Sequence, residues 1–160
     1  MKHLLRCAIV ILFLFFCGDG WGDLYFPHIA SGVHWQSEIC VINTSSQKSL
    51  TGILTPYNSA GERVSRSLSI MLPPHARQEM AIADAFTDPG SIGYIILETG
   101  SEDVCGYTKF FTPGKWRAAV PAVSDINTGQ LYIPHIASNA NWWTGISLLN
   151  TTSGPRNLTL

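Results

Sequence analysis

LYFPHIASGVHWQSEICVINTSSQ, residues Leu24 to Gln47, returns 107 positions later as LYIPHIASNANWWTGISLLNTTSG, residues Leu131 to Gly154. Twelve of the 24 aligned pairs are identical, among them the run Pro-His-Ile-Ala-Ser, one Trp and the pair Asn-Thr. Half identity over this length at one fixed offset indicates an internal repeat rather than chance. The stretch therefore marks the start of a structural unit that begins twice.

The segment between the two copies alternates short apolar runs with turn sequences, and it lacks a long helical period. Pro27 restricts the first run to an edge strand or a bulge, because proline cannot donate to a ladder. The β-branched and aromatic run before Thr99 is expected to be a central strand. The predicted strands are Leu24–Ile29, Glu38–Asn43, Leu50–Tyr57, Arg63–Leu72, Arg77–Ile82, Ile92–Glu98, Val104–Phe111 and Trp116–Val123.

Seven or eight short strands of this kind predict an all-β protein, an antiparallel β-sandwich. An Ig-like or fibronectin-like arrangement is the first choice, and a small barrel is the alternative. The expected domains are a signal peptide over 1–22, a β-sandwich repeat over 23–123, a linker over 124–130 and a truncated start of a second repeat over 131–160.

The first residues have the pattern of a secretory signal peptide. Lys2 and Arg6 precede an apolar run of eleven residues, Cys7–Cys17, which is too short to cross a bilayer as a helix. We therefore expect a secreted, periplasmic or cell-surface protein with no membrane span after cleavage. A lipid anchor on Cys17 is the minor alternative, since Phe16 occupies the position where a lipobox has a small residue.

Charge excludes one class of partner. Without residues 1–22 the chain keeps 8 basic and 10 acidic residues, a formal net charge of −2. Nucleic-acid binding depends on basic surface that neutralises phosphates, so no nucleic-acid partner is expected. An unknown protein or glycan surface is the expected partner class.

Two cysteines remain after the signal peptide, Cys40 and Cys105. Cys40 falls on the opposite strand parity from Ile39 and Val41, and Cys105 shares its parity with Tyr107, so both are expected on the outer face of one sheet. An even count in an oxidising compartment predicts one disulfide between them. Two unpaired thiols are the alternative.

The second copy contains only the first strands of a repeat. Thirty residues, Leu131–Leu160, cannot build a core of their own. We expect the chain to be part of a longer tandem array; docking of these residues on the first copy as extra strands is the alternative. Unpaired strands there also predict self-association.

The motifs PHIAS, VCGYTKF and RAAVPAVSDINTG, followed by a second PHIAS, resemble tandem repeats of exported bacterial proteins that mostly have no assigned function. The similarity extends over Leu24–Leu160. It implies a secreted β-sandwich repeat protein and provides no active-site residues to transfer.

Candidate chemistry is sparse. His28, His34 and Glu38 suggest a metal site, but in the second copy the last two become Asn141 and Gly145, so no metal and no cofactor are predicted. No catalytic residues are predicted either: there is no Gly-x-Ser-x-Gly motif, and a small secreted hydrolase is the least favoured alternative.

Three tryptophans support a binding hypothesis. Trp35 and its counterpart Trp142, joined by Trp143, lie where a loop enters a strand in each copy. Exposed Trp rings stack on sugars or fill partner pockets, whereas a Trp that closes the end of the sandwich is structural. The sequence predicts an exported, non-catalytic repeat module that serves as a spacer or as an adhesion or interaction unit. A carbohydrate- or peptide-binding accessory domain using Trp35 is the alternative.

Overall fold

The computed structural model describes residues 22–115, 117–124, 133, 136, 139, 144–157 and 159. Eight strands and two short helical turns are present in this part of the chain. The strands are β1 (Leu24–Phe26), β2 (Gln36–Asn43), β3 (Leu50–Tyr57), β4 (Leu68–Leu72), β5 (Arg77–Ala81), β6 (Tyr94–Thr99), β7 (Val104–Phe111) and β8 (Arg117–Pro121). An α-helical turn, α1 (Ile82–Ala85), and a 3₁₀ turn, η1 (Pro89–Ser91), connect β5 to β6.

The strands form two antiparallel four-stranded sheets. Sheet A has the order β1-β6-β3-β4, and sheet B has the order β5-β2-β7-β8. This confirms the predicted all-β sandwich. The Ig-like or fibronectin-like arrangement stays a prediction, because two packed antiparallel sheets establish the class and not that topology.

Apolar side chains alternate with outward-facing ones along each strand, and this gives each sheet an apolar face that packs against the other sheet. In β2, Ile39 and Val41 are fully buried between the sheets, and in sheet A the facing positions of β3 and β6 include Leu54 and Leu97. Burying such side chains contributes about 1.5–3 kcal/mol each. The rest of the core comes from Leu24, Phe26, Ile29, Leu50, Ile70, Leu72, Ile82, Phe86, Ile92, Ile95 and Val104.

The prolines set strand limits. β1 lies at the edge of sheet A, as predicted from the missing N–H of Pro27, but it ends at Phe26 and not at the predicted Ile29. The predicted strand Arg63–Leu72 forms only over Leu68–Leu72. The ladder between β3 and β4 stops at Leu54, two residues before Pro56, and Arg63 makes only an isolated bridge beyond it.

Two turns have the backbone that their sequences predict. Asn58 Oδ1 accepts hydrogen bonds from the backbone N–H groups of Ala60 and Glu62, and Gly61 takes a φ of +85°. In the turn after β7, the Lys115 N–H donates to the Thr112 carbonyl, and Gly114 has a φ of +73°. A positive φ at this third position is what a type II turn requires.

The two sides of the sandwich differ. At one side, β1 and the end of β8 are joined by a pair of 2.9 Å hydrogen bonds between the backbones of Tyr25 and Val123. At the other side lie the edge strands β4 and β5, which pair with one neighbour each. Backbone bonding therefore links the two sheets at the β1–β8 side.

One turn of the repeat forms in both copies. Asn43 Oδ1 accepts from the Ser45 N–H at 3.1 Å, and 107 positions later Asn150 Oδ1 accepts from the Thr152 N–H at 3.0 Å. This turn depends on contacts within a few residues, so it forms wherever its sequence occurs. The repeat in the sequence is thus a repeat of local structure at this point.

The strand before that turn does not recur. Ile146 and Leu148 match the fully buried Ile39 and Val41, yet they are 45% and 46% exposed and their segment is not in a strand. Strand β2 is paired on both sides, with β5 and β7, whereas the described residues 144–157 are not in a strand. The segment touches the first copy where the Ser147 hydroxyl donates to the Pro27 carbonyl at 2.7 Å.

Several predictions lie outside the described residues. They are the signal peptide predicted over 1–22, of which residues 1–21 are not described, the acylation alternative at Cys17, residues 125–130 of the predicted linker, and Trp142 and Trp143. The predicted domain boundaries stay predictions.

Candidate functional surfaces

The outer face of sheet A contains an open groove of about 680 Å³. Its rim includes Ile53, an apolar side chain that is 45% exposed on β3. Met71, on the neighbouring strand, is 71% exposed on the same face. The lining residues are Asp23, Thr51, Gly52, Ile53, Ser69, Ile70, Glu98, Thr99 and Gly100.

Two carboxylates lie side by side in this groove. The register of Leu24 with Leu97 places Asp23 next to Glu98 across β1 and β6. Burial raises the pKa of Asp23, and a hydrogen bond from the Thr99 backbone opposes that shift. Among the described residues neither carboxylate forms an ion pair with a Lys or Arg. Like charges opposite each other destabilise a strand pair, so this end of the groove favours a cationic group.

A chain of hydrogen bonds crosses the face beside the groove. Arg63 Nη2 donates to the Ser67 hydroxyl at 2.8 Å, which lies 3.0 Å from the Thr55 hydroxyl, and Thr55 lies 3.5 Å from Glu98 Oε2. Thr55 is buried although it is on the outer parity. These hydrogen bonds connect the outward side chains of β3 and β6 to the segment that precedes β4.

Stacked tyrosines occupy the other end of the same face. The rings of Tyr57 and Tyr94 are parallel within 7°, with centroids 5.1 Å apart. Burial raises the pKa of Tyr94, with a smaller contribution from Tyr57. Burial also raises the pKa of Tyr25, and the nearby charges of Asp23 and Glu98 add to it. The phenols of Tyr25 and Tyr94 are therefore neutral hydrogen-bonding groups at physiological pH.

The outer face of sheet B carries a charged cluster. Lys109 forms ion pairs with Glu38 and, at 3.5 Å, with Glu79, which also pairs with Arg77 at 2.6 Å. The Tyr107 hydroxyl donates to Glu79 Oε1 at 3.1 Å. This hydrogen bond, followed by the two cations, lowers the pKa of Glu79, and bonding to Glu38 raises the pKa of Lys109. The charges neutralise one another, so this face offers less to a charged ligand than the groove does.

Cys40 and Cys105 belong to the same outer face, as predicted from strand parity. The register pairs Cys40 with Tyr107, and Cys105 with Ile42, so the two cysteines are diagonal neighbours on β2 and β7. Cys40 is fully buried and Cys105 is exposed, and both are free thiols in the structure. The disulfide stays a prediction. Hydrogen bonding with Cys40, followed by that with Glu79, raises the pKa of Tyr107.

Trp35 packs at the end of the sandwich. Its ring meets Phe110 edge to face, with centroids 5.8 Å apart, and His28 contacts the same Phe110 ring at 5.2 Å. Phe110 is buried, so Trp35 covers a core residue and is itself half-buried. These contacts favour the structural interpretation of Trp35 over the ligand-binding one.

The structure does not bring the hypothetical metal ligands together. His28 packs on Phe110, whereas Glu38 points to the outer face and pairs with Lys109. His34 contributes its carbonyl, which accepts from the Thr112 hydroxyl at 2.8 Å. Within the described part of the chain, no group of three or more His, Cys, Asp or Glu side chains could hold a metal ion.

The sequence did not reveal the groove. Its residues come from β3, β4 and β6 and from positions next to β1 and β6. The two carboxylates, Asp23 and Glu98, are far apart along the chain and meet only through the strand order of sheet A. The available signal was the outward parity of Thr51 and Ile53 in β3 and of Glu98 in β6. The alternation of side chains along a strand predicts which face of the sheet a residue lies on, but it does not predict which strands are adjacent.

Comparisons with known proteins provide little further information. No family model matches the chain, and no curated protein matches it. It is similar to the crystal structure of Thermotoga maritima 1070, with a TM-score of 0.48 and 15% sequence identity over 67% of this chain and 97% of that one. Among the described residues, no helix has the length and hydropathy needed to cross a membrane.

Proposed function

We propose that this protein is an exported, non-catalytic β-sandwich repeat module that acts as an interaction unit. Its binding surface is the groove on the outer face of sheet A, and its partner is a protein or glycan surface. The groove carries the proposal because it combines an open concave shape with the exposed aliphatic side chain of Ile53 and two carboxylates.

The chemistry of the groove favours a particular partner. Asp23 and Glu98 attract a cationic group, and Ile53 beside them can pack against its aliphatic stem. A segment that presents Lys or Arg next to apolar residues has both properties. The net charge of −2 after signal cleavage agrees with such a partner and disfavours phosphate.

Binding to arrays of peptides and glycans tests this proposal. Wild type is compared with Glu98→Lys and Ile53→Asp, which reverse the charge and the polarity of the groove, and with Trp35→Ala at the end of the sandwich. We expect binding to Lys- or Arg-containing peptides that both groove variants lose and Trp35→Ala keeps. Circular dichroism must show that all three variants remain folded.

The other outcomes separate the alternatives. Glycan binding that only Trp35→Ala abolishes would support the accessory-domain alternative. Turnover of a generic hydrolase substrate, abolished by one carboxylate substitution, would support an enzyme. Binding that neither groove variant reduces would refute the groove as the binding surface, and no binding at all would leave the spacer role as the better explanation.

A further inference from the structure

The two thiols of sheet B differ in access and share a face. Cys105 is exposed, whereas Cys40 is fully buried although its parity points outward. Tyr107 is directly opposite Cys40 in the register, and its hydroxyl reaches across to Glu79 on β5, on the far side of Cys40. The side chain of Tyr107 therefore lies over Cys40 and shields it from solvent.

We propose that Cys40 and Cys105 form a reversible redox pair, in which Cys105 reacts first with a low-molecular-weight disulfide and Cys40 completes the bond. The Cys105 thiolate attacks one sulfur of the small disulfide, forming a mixed disulfide and releasing one thiol. The Cys40 thiolate then attacks the Cys105 sulfur and releases the second thiol. Two cysteine thiols and one small disulfide thus become one protein disulfide and two small thiols.

The register makes this bond strained. Diagonal neighbours on antiparallel strands have Cα atoms roughly 7–8 Å apart, whereas disulfides span Cα distances up to about 7 Å. Strands β2 and β7 must shift slightly to close the bond. Strained disulfides are reduced more easily than relaxed ones, so this pair acts as a reversible switch on the charged face rather than as a permanent cross-link.

Closing the bond also changes the charged cluster. Cys40 cannot leave its place under Tyr107 unless the hydrogen bond from Tyr107 to Glu79 loosens. Tyr107 is thus a positioning residue that sets the rate of the second step. Removing its hydroxyl with Tyr107→Phe keeps the ring and releases the anchor to Glu79.

The test uses the reduced full chain, oxidised glutathione, acid quenching and mass spectrometry with peptide mapping, which separates Cys40 and Cys105 from Cys7 and Cys17. We expect wild type to form the Cys40–Cys105 bond and Cys40→Ser to stop at a glutathione adduct on Cys105. Cys105→Ser should react far more slowly, because its remaining thiol on this face is buried. Tyr107→Phe should speed the second step by about tenfold, the effect of losing one hydrogen bond to a charged group.

Other results would overturn the proposal. If wild type keeps the Cys105 adduct as long as Cys40→Ser does, Cys40 does not act as the resolving thiol. If oxidation links two chains through Cys105 instead, the reaction is intermolecular. If Tyr107→Phe leaves the rate of the second step unchanged, Tyr107 does not control access to Cys40.

Discussion

The substitution Thr108→Val tests the packing of the core most directly. Thr108 lies in the middle of β7, it is fully buried between the sheets, and its hydroxyl has no hydrogen-bond partner within the described part of the chain. Valine has the same shape and removes the unpaired hydroxyl. Leaving a buried polar group unpaired costs about 1–3 kcal/mol, so we expect the free energy of unfolding to rise by about 1–2 kcal/mol.

The measurement is thermal and urea unfolding of wild type and variant at the same pH. For a domain of about 100 residues, each kcal/mol raises Tm by about 4–8 °C. Thr55→Val is the matched control, because Thr55 is also buried in a central strand but its hydroxyl bonds to Ser67. Thr55→Val should lower stability. If Thr108→Val lowers stability as much as Thr55→Val does, the hydroxyl of Thr108 has a partner and the reasoning is wrong.

Three further substitutions follow from the contacts of individual residues. Gly106→Ala would place a Cβ 2.5 Å from the Cys40 carbonyl oxygen and 3.1 Å from the Phe26 ring, so urea unfolding should show that the free energy of unfolding falls by about 2–3 kcal/mol. An unchanged urea midpoint would mean that β2 and β7 move apart without cost. Asn43→Ala should lower the free energy of unfolding by about 2–3 kcal/mol, because the buried side-chain amide donates to three backbone carbonyls at 2.8–3.1 Å. A loss no larger than that caused by replacing an exposed Asn would contradict this. The pKa of Glu79 is lowered below its ordinary value of 4.5 in the folded protein. The ionised carboxylate therefore stabilises the fold above pH 4.5, and this stabilisation is lost as the pH falls through the pKa of the folded state. Glu79→Gln should therefore flatten the acid side of a plot of the urea midpoint against pH, and an unchanged slope would assign that loss to other groups.

The fold could be predicted from sequence where the signals are local. Strands β3 and β7 have the predicted limits, the strand before Pro27 lies at a sheet edge, and the turn at Gly61 has the φ that its sequence indicates. Each of these depends on alternation or on the backbone preferences of one or two residues. The outward parity of Cys40 was predicted for the same reason, since side chains alternate strictly along a strand.

The candidate surfaces could not be predicted in the same way. Cys40 lies on the predicted outer face, but Tyr107 covers it, and only the pairing of β2 with β7 brings these two residues together. For Trp35 the sequence left both a binding and a packing role open, and its contact with Phe110 at the far end of β7 favours the packing role. In each case the partner that decides the role lies about 70 residues away along the chain.

By itself, the sequence determined the repeat, the class of fold, the strand faces and the turn at Asn43 that recurs at Asn150. The turn depends on interactions within a few residues, so it forms at both places where its sequence occurs. The fold class and the strand faces follow from the alternation of apolar and polar residues. Only the tertiary structure decided which strands are neighbours, and with them the groove, the diagonal cysteines and the burial of Ile39. The physical reason is that a strand completes its hydrogen bonds and buries its apolar face only against other strands. Ile146 has the sequence context of Ile39, but the described residues around it are not in a strand, and it is exposed.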